Sequence, residues 1–449
     1  MPELKSSTPP AGYGQAPVSP VAEPGARAWI VLGVLCFVYV LNFLDRSLLS
    51  ILAKPIQDSL HVSDGQLGLI GGLYFALFYC FISIPVGWLA DRTNRVWILA
   101  LACALWSAAT MACGLAGSYA QLVVARMTVG VGEAGGVPPS YAVISDYFPS
   151  GRRGTALGIY NLGPPIGAAL GTAFGASIAA AYSWRDAFIA LGSVGVVTAL
   201  LVLLIVREPP RGGLDKPAVA GDPHFGAPAS GFLQTIALFF SKKALVLAAL
   251  GSGATQIITY GSGNFSTLLL MREKGMTLGE VALYSALVVG IAMSAGILVS
   301  GRVIDRFTRK SRQAYALVPA ASLALAVPFY VGFVWAPSWQ IALLFQIGPT
   351  FLNFFYLSSS VTLVQEEVRP DQRVLSGALL LLIMNLIGMG VGPAYVGAIS
   401  DFLHPGHPVH SLQLAFYALA PFYALAIGLF LWLARVLRQE DLAAGAPRR

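Results

Sequence analysis

Gly87-Trp88-Leu89-Ala90-Asp91-Arg92 closes one long apolar run, and Gly301-Arg302-Val303-Ile304-Asp305-Arg306 closes another much further along the chain. Each segment ends the second apolar run of its half, so the sequence reads as a duplicated unit. A helix needs about 20 predominantly apolar residues to cross a hydrocarbon layer ~30 Å thick, and twelve runs meet that length. The first six cover roughly 28–54, 64–90, 96–117, 120–147, 154–181 and 186–206; the second six cover roughly 244–271, 277–304, 313–335, 339–366, 374–401 and 411–436. The expected organisation is a disordered cytoplasmic tail over 1–27, a six-helix bundle over 28–206, a cytoplasmic linker over 207–243, a second six-helix bundle over 244–437 and a cytoplasmic tail over 438–449. Within the linker, Phe232 to Lys243 is a candidate interfacial helix on the inner leaflet.

Composition agrees with a membrane setting. Of 449 residues, 56% are hydrophobic and 11% charged, against roughly 25% charged in an ordinary soluble domain. The first run is too long for the apolar core of a signal peptide and has no small-residue cleavage site behind it, so it reads as a retained helix. Cys36, Cys80, Cys103 and Cys113 all fall in apolar runs without the spacing of a metal site or a disulfide framework. With both termini inside, Lys54, Arg185, Arg272 and Lys274 lie outside, Arg46 and Arg126 lie within spans, and the rest of the 28 basic residues are cytoplasmic. That asymmetry is the positive-inside pattern. The net charge of +7 thus reports orientation in the inner cell membrane and gives no support to nucleic-acid binding.

The motifs then point to a family. Gly87 to Arg95, read as Gly-x-Leu-Ala-Asp-Arg-x-x-Arg, is similar to the signature loop of the major facilitator superfamily, and Trp184-Arg185-Asp186-Ala187-Phe188 resembles its entry to the sixth helix. Asn42-Phe43-Leu44-Asp45-Arg46, Ala90-Asp91-Arg92-Thr93-Asn94-Arg95, and Arg126 through Gly132-Glu133-Ala134 together resemble the Spinster branch, proton-linked transporters of sphingolipids and lysolipids. The resemblance implies an all-α membrane protein of twelve transmembrane helices in two pseudo-symmetric six-helix halves. It also implies alternating access around a site between the halves, protons as coupling ion with no other cofactor, an amphipathic lipid substrate of the sphingoid or lysophospholipid class, and a monomer that is not an enzyme. Organic-anion symporters of the same superfamily carry a similar Asn-x-x-Asp-Arg opening, so a proton-linked symporter of small organic anions is the alternative.

Charge at bilayer depth marks the working site, because such residues usually face a cavity or an ion path. Arg126 and Glu133, seven apart, share a helix face about 10 Å apart along the axis. Counted from the outer end of the fourth span, Arg126 lies about 10 Å deep and Glu133 about 20 Å, with Asp45 of the first span at about 15 Å. A buried carboxylate beside a guanidinium can load and release a proton, since burial disfavours the ionised form and the cation favours it. Asp45, Glu133 and Arg126 are therefore the proton-coupling candidates. The plainer possibility is a structural ion pair locking the first span to the fourth. Arg46, about 100° around the helix from Asp45, is expected to point to another helix or the interface in a supporting role.

In the second half the charges are replaced by amides. Laying Pro149 to Arg153 over Arg369 to Arg373 puts Arg126 on Gln346 and Glu133 on Asn353. The expected substrate cavity is lined by Arg126, Glu133, Tyr260, Asn264, Gln346, Asn353, Tyr356 and Asn385, a charged wall facing an apolar, amide-dotted one that suits an amphiphile. Gly87, Asp91, Arg92 and Arg95 form the expected conformational latch, with Asp91 against the positively polarised start of the eleventh helix. Gly167, Gly171 and Gly175 make a close-approach stripe, and Gly163-Pro164-Pro165 is expected to bend the fifth helix. His404, His407 and His410 share an outer loop, but intervening prolines and the lack of any accompanying carboxylate or Cys apart from Asp401 argue against a metal site.

Overall fold

The computed structural model describes residues 25–210, 232–369 and 372–443, and every regular element among them is helical. Of the expected tail over 1–27, residues 1–24 lie outside the described residues, as do 211–231 of the linker, and the first helix begins at Ala26, two residues inside the expected tail. Among the described residues, eleven helices are long and apolar enough to cross a membrane: α1 (Ala26–Ile51), α2 (Asp64–Ala90), α3 (Arg95–Leu115), α5 (Arg152–Ala181), α6 (Trp184–Ile205), α7 (Lys243–Arg272), α8 (Leu278–Thr308), α9 (Ala314–Trp335), α10 (Trp339–Glu367), α11 (Leu375–Leu403) and α12 (Ser411–Ala443). The remaining span, α4, is two pieces, Tyr119–Glu133 and Val137–Tyr147.

The break in α4 departs from the continuous span expected over 120–147. Glycines at 132, 135 and 136 weaken the helix there. Pro138 and Pro139 lack N–H donors and fit only the first turn of a helix, which is where the second piece places them. α10 also breaks, between Trp339–Leu352 and Phe355–Glu367, with Pro349 in the last turn of its first piece. Glu133 and Asn353, which the duplication superposes, therefore stand at equivalent breaks. α2 and α8 carry a matching pair of features: capping boxes at Ser63/Gln66 and Thr277/Glu280, followed by π-wound turns at Leu69–Tyr74 and Val281–Ser285. The last helix continues to Ala443, past the expected boundary at 437.

Within the first half α1 lies along α5, where the glycine stripe meets it: a Cβ on Gly167 would stand 2.4 Å from Val40 O. Between the halves, α2 meets α11, α5 meets α8 and α1 meets α7. The spans described run so that the start of α1 and the end of α12 share one side, called the terminal face; the other is the distal face. At the distal face the α2 and α11 backbones touch, since a Cβ on Gly68 would fall 2.3 Å from Pro393 O and one on Gly397 2.3 Å from Asp64 O. At the terminal face a Cβ added at Gly87 or Gly301 would meet no atom of another described helix within 4 Å. The bundle is closed distally.

The short helix Phe232–Ser241 turns Thr235 and Phe239 inward and leaves Phe232, Leu233 and Phe240 exposed. That is the sidedness of a helix lying on a membrane surface.

Candidate functional site

Asp45 and Arg46 are neighbours on α1, and both reach α4. Arg126 Nη1 donates to Asp45 Oδ2 at 3.0 Å, while Thr110 of α3 donates to Asp45 Oδ1 at 2.9 Å. Arg46 Nε donates to Glu133 Oε2 at 2.6 Å. The expectation that Arg46 points elsewhere is corrected: it is the direct partner of Glu133. The reason is reach. Asp45 and Arg46 are only ~1.5 Å apart along α1, whereas Arg126 and Glu133 are about 10 Å apart along α4, and the two long arginine side chains span the difference. The Arg46 guanidinium also lies 4.7 Å from the Tyr79 ring centroid and 5.1 Å from those of Phe43 and Phe75, a cation–π cage. Tyr260 of α7 reaches the same guanidinium from the other half.

Close helix approach makes this geometry possible. A Cβ on Gly132 would stand 2.6 Å from Trp106 N of α3, and one on Gly130 2.9 Å from Phe75 O of α2. With no side chains there, α4 slides between α2 and α3 and delivers its two charges to α1. Asp45, Arg126 and Glu133 are each exposed by 2% or less. Yet the network is not saturated: Glu133 Oε1 and Arg126 Nε are buried with no hydrogen-bond partner among the described residues. An unmet buried polar atom costs about 1–3 kcal/mol, so a pair built only to hold two helices would be expected to satisfy both. A carboxylate with one oxygen bound and one bare can accept a proton without first breaking its ion pair.

The second-half candidates divide. Tyr356 is buried beside Gln256 and Tyr260, and of these three Tyr260 reaches the charged site at Arg46; Gln256, absent from the sequence reading, has a buried Oε1 with no partner among the described residues. Asn264 lies at the seam between halves, its Nδ2 donating to Tyr260 O at 3.0 Å, and its backbone oxygen accepts from Ser50 of α1 at 3.0 Å. Gln346 and Asn385 are half-buried. Asn353 is a correction. Its Nδ2 donates to the Tyr423 hydroxyl at 3.1 Å, which ties the α10 break to α12 inside the second half and takes the side chain out of the expected cavity.

The distal closure has its own polar seal. Arg272 at the end of α7 binds Asp64 of α2 through both terminal nitrogens at 3.0 and 2.9 Å. The Ser400 hydroxyl of α11 donates to Asp64 Oδ2 at 2.5 Å, and Asp401 accepts from Ser63 Oγ at 2.6 Å and from Gly65 N at 2.9 Å. Three helices from both halves thus converge on one carboxylate. Sequence reading counted Arg272 only toward topology and passed over Asp64; the capping box that sets Asp64 in the first turn of α2 was the available signal.

The sequence profile of the Major Facilitator Superfamily matches residues 35–393. The chain is also 31% identical over 417 residues to an MFS-type efflux pump of Mycolicibacterium smegmatis, covering 93% of this chain and 94% of that one.

The chain belongs to the major facilitator superfamily.

Other similar superfamily members are protein spinster homolog 1 of Rattus norvegicus, 26% identical over 404 residues with 84% of this chain and 74% of the relative covered, and a hexuronate transporter of Bacillus subtilis, 26% identical over 383 residues with 82% and 88% covered. Among solved structures, a bacterial homolog to the human lysosomal transporter Spinster, in an inward-facing and unoccupied conformation, superposes with a TM-score of 0.84 at 28% identity, over 92% of this chain and 98% of that one.

In this superfamily member the signature loop makes its described contacts within its own half. Arg95 pairs with Asp146 and Glu208, each at 2.6 Å, and Arg92 lies over the Trp88 ring at 4.1 Å. The Asp91 side chain lies outside the described ones. On the second half, Arg312 binds Glu367, Glu440 and Asp441. Of the loop histidines, His410 Nδ1 stands 3.8 Å from Glu273 Oε2 and His404 Nδ1 3.5 Å from Ser411 Oγ.

Proposed function

We propose that this protein is a proton-coupled secondary transporter that moves amphipathic lipids of the sphingoid or lysophospholipid class by alternating access. The observation that carries the reading is the half-satisfied carboxylate of Glu133, held by Arg46 on one oxygen and without a partner among the described residues on the other, while Tyr260 of the second half reaches the same Arg46. Protonation of Glu133 would free Arg46, and Arg46 touches both halves, so a proton would change how the halves meet. No further cofactor enters the cycle. The terminal face is assigned to the cytoplasm of the inner cell membrane from the basic loops, which makes the distally closed state inward-facing, and the transporter acts as a monomer.

A second reading keeps the fold and changes the cargo to a small organic anion held by Arg126. The bare Arg126 Nε and the similarity to a hexuronate transporter favour it. Binding of a chain-length series of lysophospholipids from about C6 to C18, each below its micelle concentration, separates the two. In the lipid reading affinity climbs with length, by at most ~0.8 kcal/mol per fully buried CH₂. A flat series, with tight binding of hexuronate, overturns it.

A further inference from the structure

A groove of about 630 Å³ opens on the flank of the second half, away from the seam between halves. Its walls are apolar, with Val303 and Phe307 from α8, Leu317 and Leu325 from α9, and its floor is Leu352 and Phe355. Those two floor residues flank the break in α10. Lys310 and Ser311, in the loop from α8 to α9, stand at its mouth. The walls are half open, with Phe307, Leu317 and Leu325 exposed, while Leu352 and Phe355 are buried.

The dimensions match one membrane leaflet. From Ala314 at the mouth to Leu325 the groove runs about 16 Å along α9 at 1.5 Å per residue, and half of a ~30 Å hydrocarbon layer is about 15 Å. The charge at the mouth also has a direction. Arg312, two residues from Lys310, is committed to Glu367, Glu440 and Asp441, which leaves the Lys310 ammonium as the cation that the groove itself presents. An ammonium and a hydroxyl at headgroup level, above an apolar slot one leaflet deep, complement a phosphate ester on an acyl chain.

We propose that this groove holds a resident anionic phospholipid of the leaflet on the terminal face, its phosphate on Lys310 and Ser311 and one acyl chain laid against the α10 break. The lipid belongs to the second half alone. It is distinct from whatever crosses between the halves, so the proposal stands whether the cargo is a lipid or a small acid.

The test is quantitative lipid retention by the purified full-length protein after exchange into bilayer nanodiscs of equal phosphatidylglycerol and phosphatidylcholine, followed by detergent extraction and native mass spectrometry. Wild type should keep about one lipid per chain, with phosphatidylglycerol favoured about fivefold, the ratio equivalent to ~1 kcal/mol for one basic residue at an anionic surface. Lys310→Gln, an exposed change that leaves the bundle intact, should abolish the preference while a lipid is still retained. Ala321→Trp, placed in the groove wall, should lose the lipid of either headgroup, whereas Leu344→Trp, on an exposed face of α10, should keep it. Equal retention of the two headgroups by wild type, or a preference that survives Lys310→Gln, overturns the headgroup assignment. Undiminished lipid on a folded Ala321→Trp protein overturns the site.

Discussion

Arg46 Nε sits 2.6 Å from Glu133 Oε2, and the other carboxylate oxygen of Glu133 is bare. The guanidinium is simultaneously caged by Phe43, Phe75 and Tyr79, so it has a second place to rest when the carboxylate is neutralised. Glu133→Gln imitates the protonated state. The expected outcome is an equilibrium between distally closed and distally open forms that no longer responds to pH and stays at its wild-type low-pH position, read as spin-label distances across both faces. Asp45→Asn, which frees Arg126, should reduce the response as well. An unaltered pH response in both variants would remove these residues from the coupling.

The distal seal concentrates on Asp64, where two Arg272 hydrogen bonds and one from Ser400 meet. Asp64→Asn keeps the shape and removes the charge. Hydrogen bonds to charged groups contribute about 1.5–3 kcal/mol, so losing their charged character should raise the open-to-closed ratio of a mostly closed population by about tenfold or more. Cysteine labelling behind the seal should then accelerate by about tenfold or more; a wild-type labelling rate would mean that the Gly68 and Gly397 backbone contacts alone keep the face shut.

Asp91→Asn tests the opposite face. The signature loop makes no described contact across the halves in this state, so the latch would act only when the terminal face closes. Removing a carboxylate from a helix N-terminus costs about 0.3–1 kcal/mol, up to ~2 when partly buried. The population should shift toward the distally closed form, seen as shorter distances across the distal face and longer ones across the terminal face. No shift would reduce the loop to topological anchoring.

Much of this was legible in the sequence because membranes impose simple rules. Length and apolarity set the spans, and the Gly87 and Gly301 segments gave the duplication. Asp45, Arg126 and Glu133 stood out because a charge in an apolar run needs a reason. What escaped was pairing. Periodicity gives the direction a side chain leaves its helix, not how far an arginine reaches, and so the sequence assigns Arg46 only a supporting role although it holds Glu133. Asn353 was misplaced for a related reason: sequence superposition matched its position to Glu133 but could not say that Tyr423 of α12 would claim it. Asp64 and Arg272 lie far apart in sequence at span ends, where charges are ordinary. The repeat of the Ser63/Gln66 capping box at Thr277/Glu280 was readable and would have strengthened the duplication.

Gly132 predicts a steric effect separable from charge. A Cβ there would meet the Trp106 backbone nitrogen at 2.6 Å and its Cα at 2.9 Å, and backbone on a packed helix cannot step aside as a side chain can. Gly132→Ala should destabilise the protein by about 1–3 kcal/mol, the usual range for overpacking, and disturb the α1–α4 ion pairs. Gly428→Ala on α12, where nothing lies within 4 Å, should be neutral or stabilising by up to ~1 kcal/mol. Thermal unfolding of the two variants side by side checks this, and equal effects would contradict the close-approach account of the motif.

Glu273 gives a pH dependence outside the membrane. It lies just beyond α7 and accepts from Leu412 N and Gln413 N at 3.0 and 3.2 Å. Burial raises its carboxyl above the ordinary value even so, which means that desolvation outweighs the two N–H groups and the nearby Arg272. A raised acid holds protons more readily folded than unfolded. Its contribution to stability is therefore greatest below the ordinary carboxylate value and declines as pH rises from there through the raised value. Glu273→Gln retains an acceptor for the N–H groups and has no charge to desolvate. The variant should melt higher than wild type at neutral pH, and the gap should close as pH falls to about 4, near the ordinary carboxylate range. Unfolding followed across that interval checks the sign: a variant that melts lower at neutral pH would mean that the ionised Glu273 is a net support for the α7–α12 contact.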